Sequence, residues 1–137
     1  MDNVDSLTLV YNLFDRKGPE KIEARTVTDK IVVFSTCSSR EEAARIARDL
    51  VESRLAACVN MIPAVNSVYR WQGAVEEAEE VALIVKSSRA LFEPLRARIE
   101  KLSSYTTPEI VALPIVEGSE AYLHWMNAAL AGADANE

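Results

Sequence analysis

Aromatic and charged side chains recur at three places in this sequence where they could build a binding site. Tyr69 and Trp71 lie two residues apart in an extended stretch, just before the turn at 72–73. Lys86 ends the apolar run that follows, and a Tyr-Thr-Thr-Pro-Glu segment occupies 105–109. Aromatic rings with a few convergent polar groups are typical of small-molecule sites. We predict a ligand cleft lined by Tyr69, Trp71, Lys86, Tyr105 and Glu109. The alternative is that these residues form a polar network between subunits.

Cys58 is the residue best suited to bind a soft metal ion. It begins a long predicted strand, and thiolates bind ions such as Cu(I). Glu109 or the acidic run at 76–80 would serve as auxiliary oxygen donors. Free cysteine also packs as a small hydrophobe, so core packing is the first interpretation of Cys58 and metal binding the second; for the acidic run a solvated surface comes first. Cys37, after the first strand, is expected to be less buried than Cys58.

The sequence indicates no catalytic centre. It contains no HExxH, GxxxxGK or GxGxxG motif, and its single histidine, His124, lies beside Trp125 on the last predicted helix. General acid–base catalysis needs a positioned and tuned group, and a lone helical histidine is typical of a surface position. We therefore predict that the protein is not an enzyme and needs no obligatory cofactor. Copper or another divalent cation is the candidate ligand.

Composition indicates one soluble domain. The chain has 137 residues, of which 49% are hydrophobic, enough for a sizeable core. Its net charge of −6 argues against nucleic acid or an anionic membrane as a partner. No apolar run approaches the roughly 18 residues of a membrane span, and the acidic start does not resemble a signal peptide. Two cysteines without a CxxC spacing fit free thiols in the cytoplasm.

The hydrophobic pattern predicts two strand–helix–strand units followed by a third helix. The first unit has a β-branched strand at 31–36, a helix opened by the Ser39–Glu42 capping box, and a long strand at 57–71 in which Pro63 marks a bulge, a bend or an edge position. The second unit has a strand at 81–86, a helix starting near Leu91, and a strand at 110–116. Gly118-Ser119 then opens the last helix.

A hairpin between the second and third strands joins the two units. This order predicts an α+β fold, a ferredoxin-like βαββαβ sandwich with an antiparallel sheet and an extra C-terminal helix. We assign the domain to residues 30–131, a flexible extension to 1–29 and a frayed tail to 132–137. Both faces of the strand at 57–71 are mixed, which favours cover by a neighbouring subunit.

An ordered set of short motifs resembles the CutA family of divalent-cation tolerance proteins over roughly residues 31–130. The motifs are Leu55–Asn60, Ser67–Trp71, Gly73, Glu79-Glu80, Tyr105, Pro108-Glu109-Ile110, Ala112-Leu113-Pro114 and Tyr122–Trp125. The resemblance implies a ferredoxin-like fold, a tight homotrimer in which long strands pair across subunits, and a cytoplasmic role in tolerance to metals such as copper. It implies no assigned enzymatic reaction.

The sequence departs from this family in the loop before Tyr105. Ser103-Ser104 replaces the usual His-Pro pair, and Thr106 follows the tyrosine in place of an acidic or amide residue. Only Cys58 matches a family cysteine well, so copper binding should be thiol-dependent and weaker than in relatives with the histidine. The second hypothesis is a PII-like trimeric signalling or scaffold protein with a small ligand between subunits. The absence of an evident basic phosphate-binding loop counts against a nucleotide.

Overall fold

The computed structural model describes residues 28–132. The residues before 28 and after 132, which hold most of the predicted extension and the tail, lie outside the described residues. The last two residues of the predicted extension are hydrogen-bonded to the domain. The Thr28 hydroxyl donates to the carbonyl of Ile115 at 2.5 Å, and the Arg89 amide donates to the carbonyl of Asp29 at 2.8 Å.

The described chain alternates strands and helices as the sequence predicts. Its elements are β1 (Lys30–Cys37), α1 (Arg40–Glu52), β2 (Cys58–Trp71), β3 (Ala74–Ser88), a 3-10 turn (Arg89–Leu91), α2 (Phe92–Leu102), β4 (Val111–Pro114) and α3 (Glu120–Ala131). The strands form one sheet in the order β2-β3-β1-β4, with every neighbouring pair antiparallel. The predicted ferredoxin-like α+β fold with an extra C-terminal helix is confirmed.

Local sequence signals explain where the helices begin. Ser39 caps α1, and its side chain accepts a hydrogen bond from the Glu42 amide. Helix α2 begins at Phe92, so Pro94 falls in the first turn, where its missing N–H costs little. Ser119 caps α3 in the same way as Ser39 caps α1, through the amide of Tyr122.

One face of the sheet forms the main core. Odd-numbered residues of β1 and β3 point to the side covered by α1 and α2, as the two-residue period of a strand requires. The central members of this core are Val33, Ile46, Leu50, Leu83, Val85, Leu95 and Ile99. Cys37 belongs to it and is 1% exposed. The expectation that Cys37 is less buried than the half-buried Cys58 is therefore wrong, because β1 extends to Cys37 and the alternation turns that side chain inward.

The opposite side of the sheet, here called the open face, carries the even-numbered side chains of β1 and β3. Val32, Phe34, Ala82 and Ile84 are half-buried there. Val111 pairs with Phe34 and Leu113 pairs with Val32, so these β4 residues lie on the same face, 50% and 54% exposed. Helix α3 forms a second small core beside the start of β2, through Ala57, Met126 and Ala129.

A bulge in β2 changes which of its side chains lie on the open face. Pairing with β3 shifts between Ile62 and Val65, across Pro63 and Ala64, and Ala64 has a φ of 63°. Before the bulge the even-numbered residues share the open face, and after it the odd-numbered residues do. The hairpin then closes at Gln72 and Gly73, whose φ values of 50° and 83° fit a type I′ turn. Tyr69 and Trp71 consequently lie on the open face.

Candidate functional site

A crevice of about 770 Å³ opens between the hairpin and the loop at 104–109. Thr36, near the end of β1, lines the crevice together with this loop, so the loop passes the end of β1. The protruding part of β2 and β3 forms the other wall. The lining contains four of the five residues predicted for the ligand cleft, namely Tyr69, Trp71, Tyr105 and Glu109.

Glu80 and Tyr105 form the polar floor of the crevice. The Tyr105 hydroxyl donates to Glu80 Oε2 at 2.6 Å, and Glu80 is only 9% exposed. Burial raises the pKa of Tyr105, and the hydrogen bond to Glu80 and the negative charges of Glu80 and Glu42 raise it further. The phenol therefore stays protonated at neutral pH and acts as a hydrogen-bond donor.

Glu42 connects the loop at 104–109 to the start of α1. Its carboxylate accepts hydrogen bonds from the amide and hydroxyl of Ser38, at 3.1 and 3.0 Å, and from the amide of Ser104. The hydroxyls of Ser38 and Ser104 are 3.2 Å apart. Burial alone would raise the pKa of Glu42, but the hydrogen bonds from Ser38 and Ser104 outweigh burial and lower it. We call this group the Glu42 network.

Lys86 does not line the crevice. It pairs with Cys58 near the end of β3, and Glu80 is six residues earlier, about 20 Å away at the usual rise of a strand. The Lys86 ammonium instead donates to Asn60 Oδ1 and lies 3.9 Å from Cys58 Sγ. Four of the predicted cleft residues therefore line the crevice, whereas Lys86 belongs to a separate group of side chains around Cys58.

The group around Cys58 also includes Tyr122 of α3. Burial raises the pKa of Tyr122, and the charge of Cys58 and a hydrogen bond with it raise that pKa further. Cys58 Sγ itself lies 3.8 Å from Asn60 Oδ1. Cys58 is half-buried, so its thiol retains access to solvent that Cys37 lacks.

The two predicted metal ligands are far apart within one chain. Cys58 lies on the edge strand β2, whereas Glu109 precedes β4 at the other edge, three strand spacings or about 14 Å across the sheet. Within residues 28–132, no group of three or more His, Cys, Asp or Glu side chains is placed to hold a metal ion. A single chain therefore offers Cys58 as a soft ligand without Glu109 beside it.

Sequence reasoning missed two residues that shape this site. The sequence predicts a solvated acidic run at 76–80, yet Glu80 is only 9% exposed, because strand alternation turns it to the opposite face from the exposed Glu79. Glu42 was assigned to a capping box, in which its side chain would accept from the Ser39 amide. The structure instead directs this carboxylate to Ser38 and Ser104, because the loop at 104–109 passes the helix start.

The two thiols are expected to differ in reactivity. Burial, followed by the negative charges of Glu42 and Glu80, raises the pKa of Cys37 to about 12. A thiol must ionise to react, so Cys37 in the folded Cys58→Ser variant should resist a disulfide reagent at pH 8. Absorbance of the released chromophore should report less than a hundredth of the rate measured in denaturant, a ratio of about 2.7 kcal/mol. Labelling of the folded variant at the denatured rate would contradict this placement.

The fold and the crevice define a class of small ferredoxin-like α+β proteins with a long protruding hairpin. The sequence model of a family described as "CutA1 divalent ion tolerance protein" matches residues 31–129. The chain belongs to this family. The match covers every element from β1 to α3 and leaves residues 1–30 outside it, in agreement with the resemblance drawn from the short motifs.

Relatives of the chain carry the same family name. The divalent-cation tolerance protein CutA of Thermus thermophilus is 53% identical over 95 residues, which are 69% of this chain and 92% of that protein. The chloroplastic protein CutA of Arabidopsis thaliana is 40% identical over 104 residues, 76% of this chain but only 57% of that longer protein.

A solved structure supports the fold independently. The structure titled as the periplasmic divalent cation tolerance protein CutA from Archaeoglobus fulgidus superposes with a TM-score of 0.72 at 40% identity, covering 74% of this chain and 98% of that one. Within the described residues, no helix combines the length and hydrophobicity that a membrane crossing would require.

Proposed function

We propose that the chain forms a homotrimer that confers tolerance to divalent cations, copper in particular, and binds metal weakly through Cys58. The observation that carries this proposal is the family membership, together with a partly exposed thiol on an apolar sheet face. We further propose that it acts in the cytoplasm without enzymatic activity. Free cysteines fit that compartment, although relatives include proteins named as chloroplastic and periplasmic.

The open face supports self-association. It presents Val111 and Leu113 at the β4 edge, 50% and 54% exposed, and half-buried aromatic and aliphatic residues in the centre. Soluble monomers rarely expose an extensive apolar surface. The centre and the β4 edge of the open face are therefore the surface that a second and a third copy would cover.

Metal binding by Cys58 requires a change at Lys86. A thiolate favours soft Cu(I), but the Lys86 ammonium, 3.9 Å from the sulfur, repels a cation held there. The Lys86 side chain is long and flexible, so it can turn away from Cys58 when metal binds. This competition gives a physical reason for weak binding.

Titration of the reduced protein with Cu(I), against a chromophoric Cu(I) chelator, tests the metal site. Cys58→Ser should abolish competition for Cu(I), whereas Lys86→Met should strengthen it about tenfold because the repulsion of roughly 1.4 kcal/mol is removed. Cys37→Ser is the matched control and should change nothing, because that thiol is buried in the core. Unchanged affinity in Cys58→Ser would remove Cys58 from the site.

Growth on copper tests the biological role. A bacterial strain without its own family member should tolerate more copper when it expresses the wild-type chain, and the Cys58→Ser variant should give less protection at equal expression. Equal protection by both would show that copper tolerance does not depend on the Cys58 thiol. No protection by the wild type would contradict the proposed function itself.

The crevice supports a second candidate function, that of a PII-like trimeric signalling or scaffold protein. A cavity of about 770 Å³ lies within the usual size range of small-ligand sites. Its lining contains no lysine or arginine, which disfavours a nucleotide phosphate. A saturable small ligand that alters a partner's binding, with no effect on copper tolerance, would favour this second function.

A further inference from the structure

The crevice combines aromatic rings with carboxylates and contains no basic side chain in its lining. Tyr69, Trp71 and Tyr105 supply the rings, and Glu80 and Glu109 supply the carboxylates. The faces of Trp and Tyr rings attract cations, most strongly where water is excluded. The carboxylates and the aromatic rings of this crevice therefore both favour a positively charged ligand.

Glu80 is the strongest single indication of the ligand's charge. It is more than nine-tenths buried and lines the crevice, and its hydrogen-bond donor is the neutral phenol of Tyr105. Among residues 28–132, neither Glu80 nor Glu109 forms an ion pair. A buried carboxylate without a cation is costly, and a positively charged ligand would compensate it.

The electrostatics of Tyr105 agree with this indication. Burial raises the pKa of Tyr105 most, and the hydrogen bond to Glu80 and the negative charges of Glu80 and Glu42 raise it further. Both carboxylates therefore contribute negative potential at the floor of the crevice. The local field favours cations there.

An organic cation fits the lining better than a metal ion does. Divalent metals take several oxygen, nitrogen or sulfur ligands at short distances, and within the described chain no group of three His, Cys, Asp or Glu side chains could hold one. Aromatic rings contribute nothing to such a coordination shell. The rings do suit an alkylated ammonium ion, whose charge is spread over an apolar surface.

We propose that the crevice between the hairpin and the loop at 104–109 binds small organic ammonium ions, with Trp71, Tyr69 and Tyr105 packing around the cation and Glu80 compensating its charge. This goes beyond the proposed metal tolerance and uses none of the residues around Cys58. The two proposals can therefore fail independently.

Choline is a suitable probe, and its neutral isostere 3,3-dimethylbutan-1-ol isolates the effect of charge. The N-methyl proton signal of choline should broaden and shift saturably with the full-length assembled protein, and the isostere should bind at least tenfold more weakly. Trp71→Leu should abolish the effect. Glu80→Gln, which keeps the hydrogen bond from Tyr105, should weaken choline binding at least fivefold.

Glu79→Gln is the matched control, because strand alternation turns Glu79 away from the crevice while it carries the same charge. It should leave choline binding unchanged. Sedimentation of each variant confirms that assembly is intact. Equal binding of choline and its isostere would overturn the proposal, as would displacement of choline by Mg²⁺ at equal ionic strength. No saturable binding would also overturn it and would leave the crevice to a neighbouring copy.

Discussion

Ile84→Glu is expected to convert the proposed trimer into monomers that remain folded. Ile84 lies at the centre of the open face, paired with Phe34 on one side and Asn60 on the other. In the monomer a glutamate here can reach water, but in a trimer its carboxylate would be buried among apolar side chains. Such burial without a partner costs several kcal/mol per chain, so association should weaken by roughly a hundredfold or more.

Sedimentation at micromolar concentration measures this effect, and circular dichroism reports whether the fold survives. Val51→Glu is the matched control, since Val51 is also a branched hydrophobe, 42% exposed, but lies on α1 away from the open face. It should leave assembly unchanged. Intact trimers in Ile84→Glu would show that the open face is not the interface.

Glu42→Gln is expected to destabilise the fold by about 2 kcal/mol per chain, the range for hydrogen bonds to a charged acceptor. The carboxylate accepts from three donors at Ser38 and Ser104 and is 4% exposed. A glutamine amide replaces one acceptor oxygen with a donor, so at least one Ser amide loses its partner. Urea unfolding at one fixed protein concentration measures the change.

The contribution of Glu42 should depend on pH in a defined direction. Its pKa is lower in the folded protein than the ordinary value of 4.5, so the unfolded chain binds the proton more readily. The stabilisation is complete above pH 4.5 and is lost as the pH falls below that value toward the folded pKa. The gap between wild type and Glu42→Gln should therefore narrow in acid.

Glu41→Gln controls for the charge at the start of α1. Glu41 lies in the same first turn but is exposed, so it shares the interaction with the helix dipole and lacks the hydrogen bonds of Glu42. Its replacement should cost less than about 0.5 kcal/mol. Equal losses in the two variants would show that the Glu42 network contributes no stability of its own.

The fold could be predicted because local signals agree with the global arrangement. The helix starts at Ser39 and Ser119, the turn at 72–73 and the helix start near Leu91 are all confirmed. The two-residue alternation in β1 and β3 explains which side chains enter the core. The prediction for Cys37 is wrong because the strand ends one residue later than the β-branched run, so the alternation includes this side chain.

The candidate site was only partly predictable, because its parts meet through tertiary geometry. Sequence distance gave no reason to separate Lys86 from Trp71, yet the length of β3 places them at different ends of the sheet. Pro63 predicts a bulge, a bend or an edge position; the structure has a bulge, and its consequence, that Cys58 and Tyr69 share one face, follows only from the pairing register. The burial of Glu80 depends on the loop at 104–109, whose path no local pattern specifies.

The hydrogen bond from Ser104 to Glu42 depends on the residue type at position 104. A proline at this position would have no amide hydrogen to donate, so the bond requires a residue with a backbone N–H. In this chain the bond fixes the loop at 104–109 to the start of α1.

Native mass spectrometry of the full chain, reduced and titrated with Cu(I), tests the central claim most directly because it reports assembly and metal loading together. We predict a dominant species of about three times the 15.1 kDa chain mass. We predict that it takes up copper, and that the Cys58→Ser protein forms the same species without copper. A wild-type protein that stays monomeric, or a trimer whose copper content is the same with and without Cys58, would contradict this account.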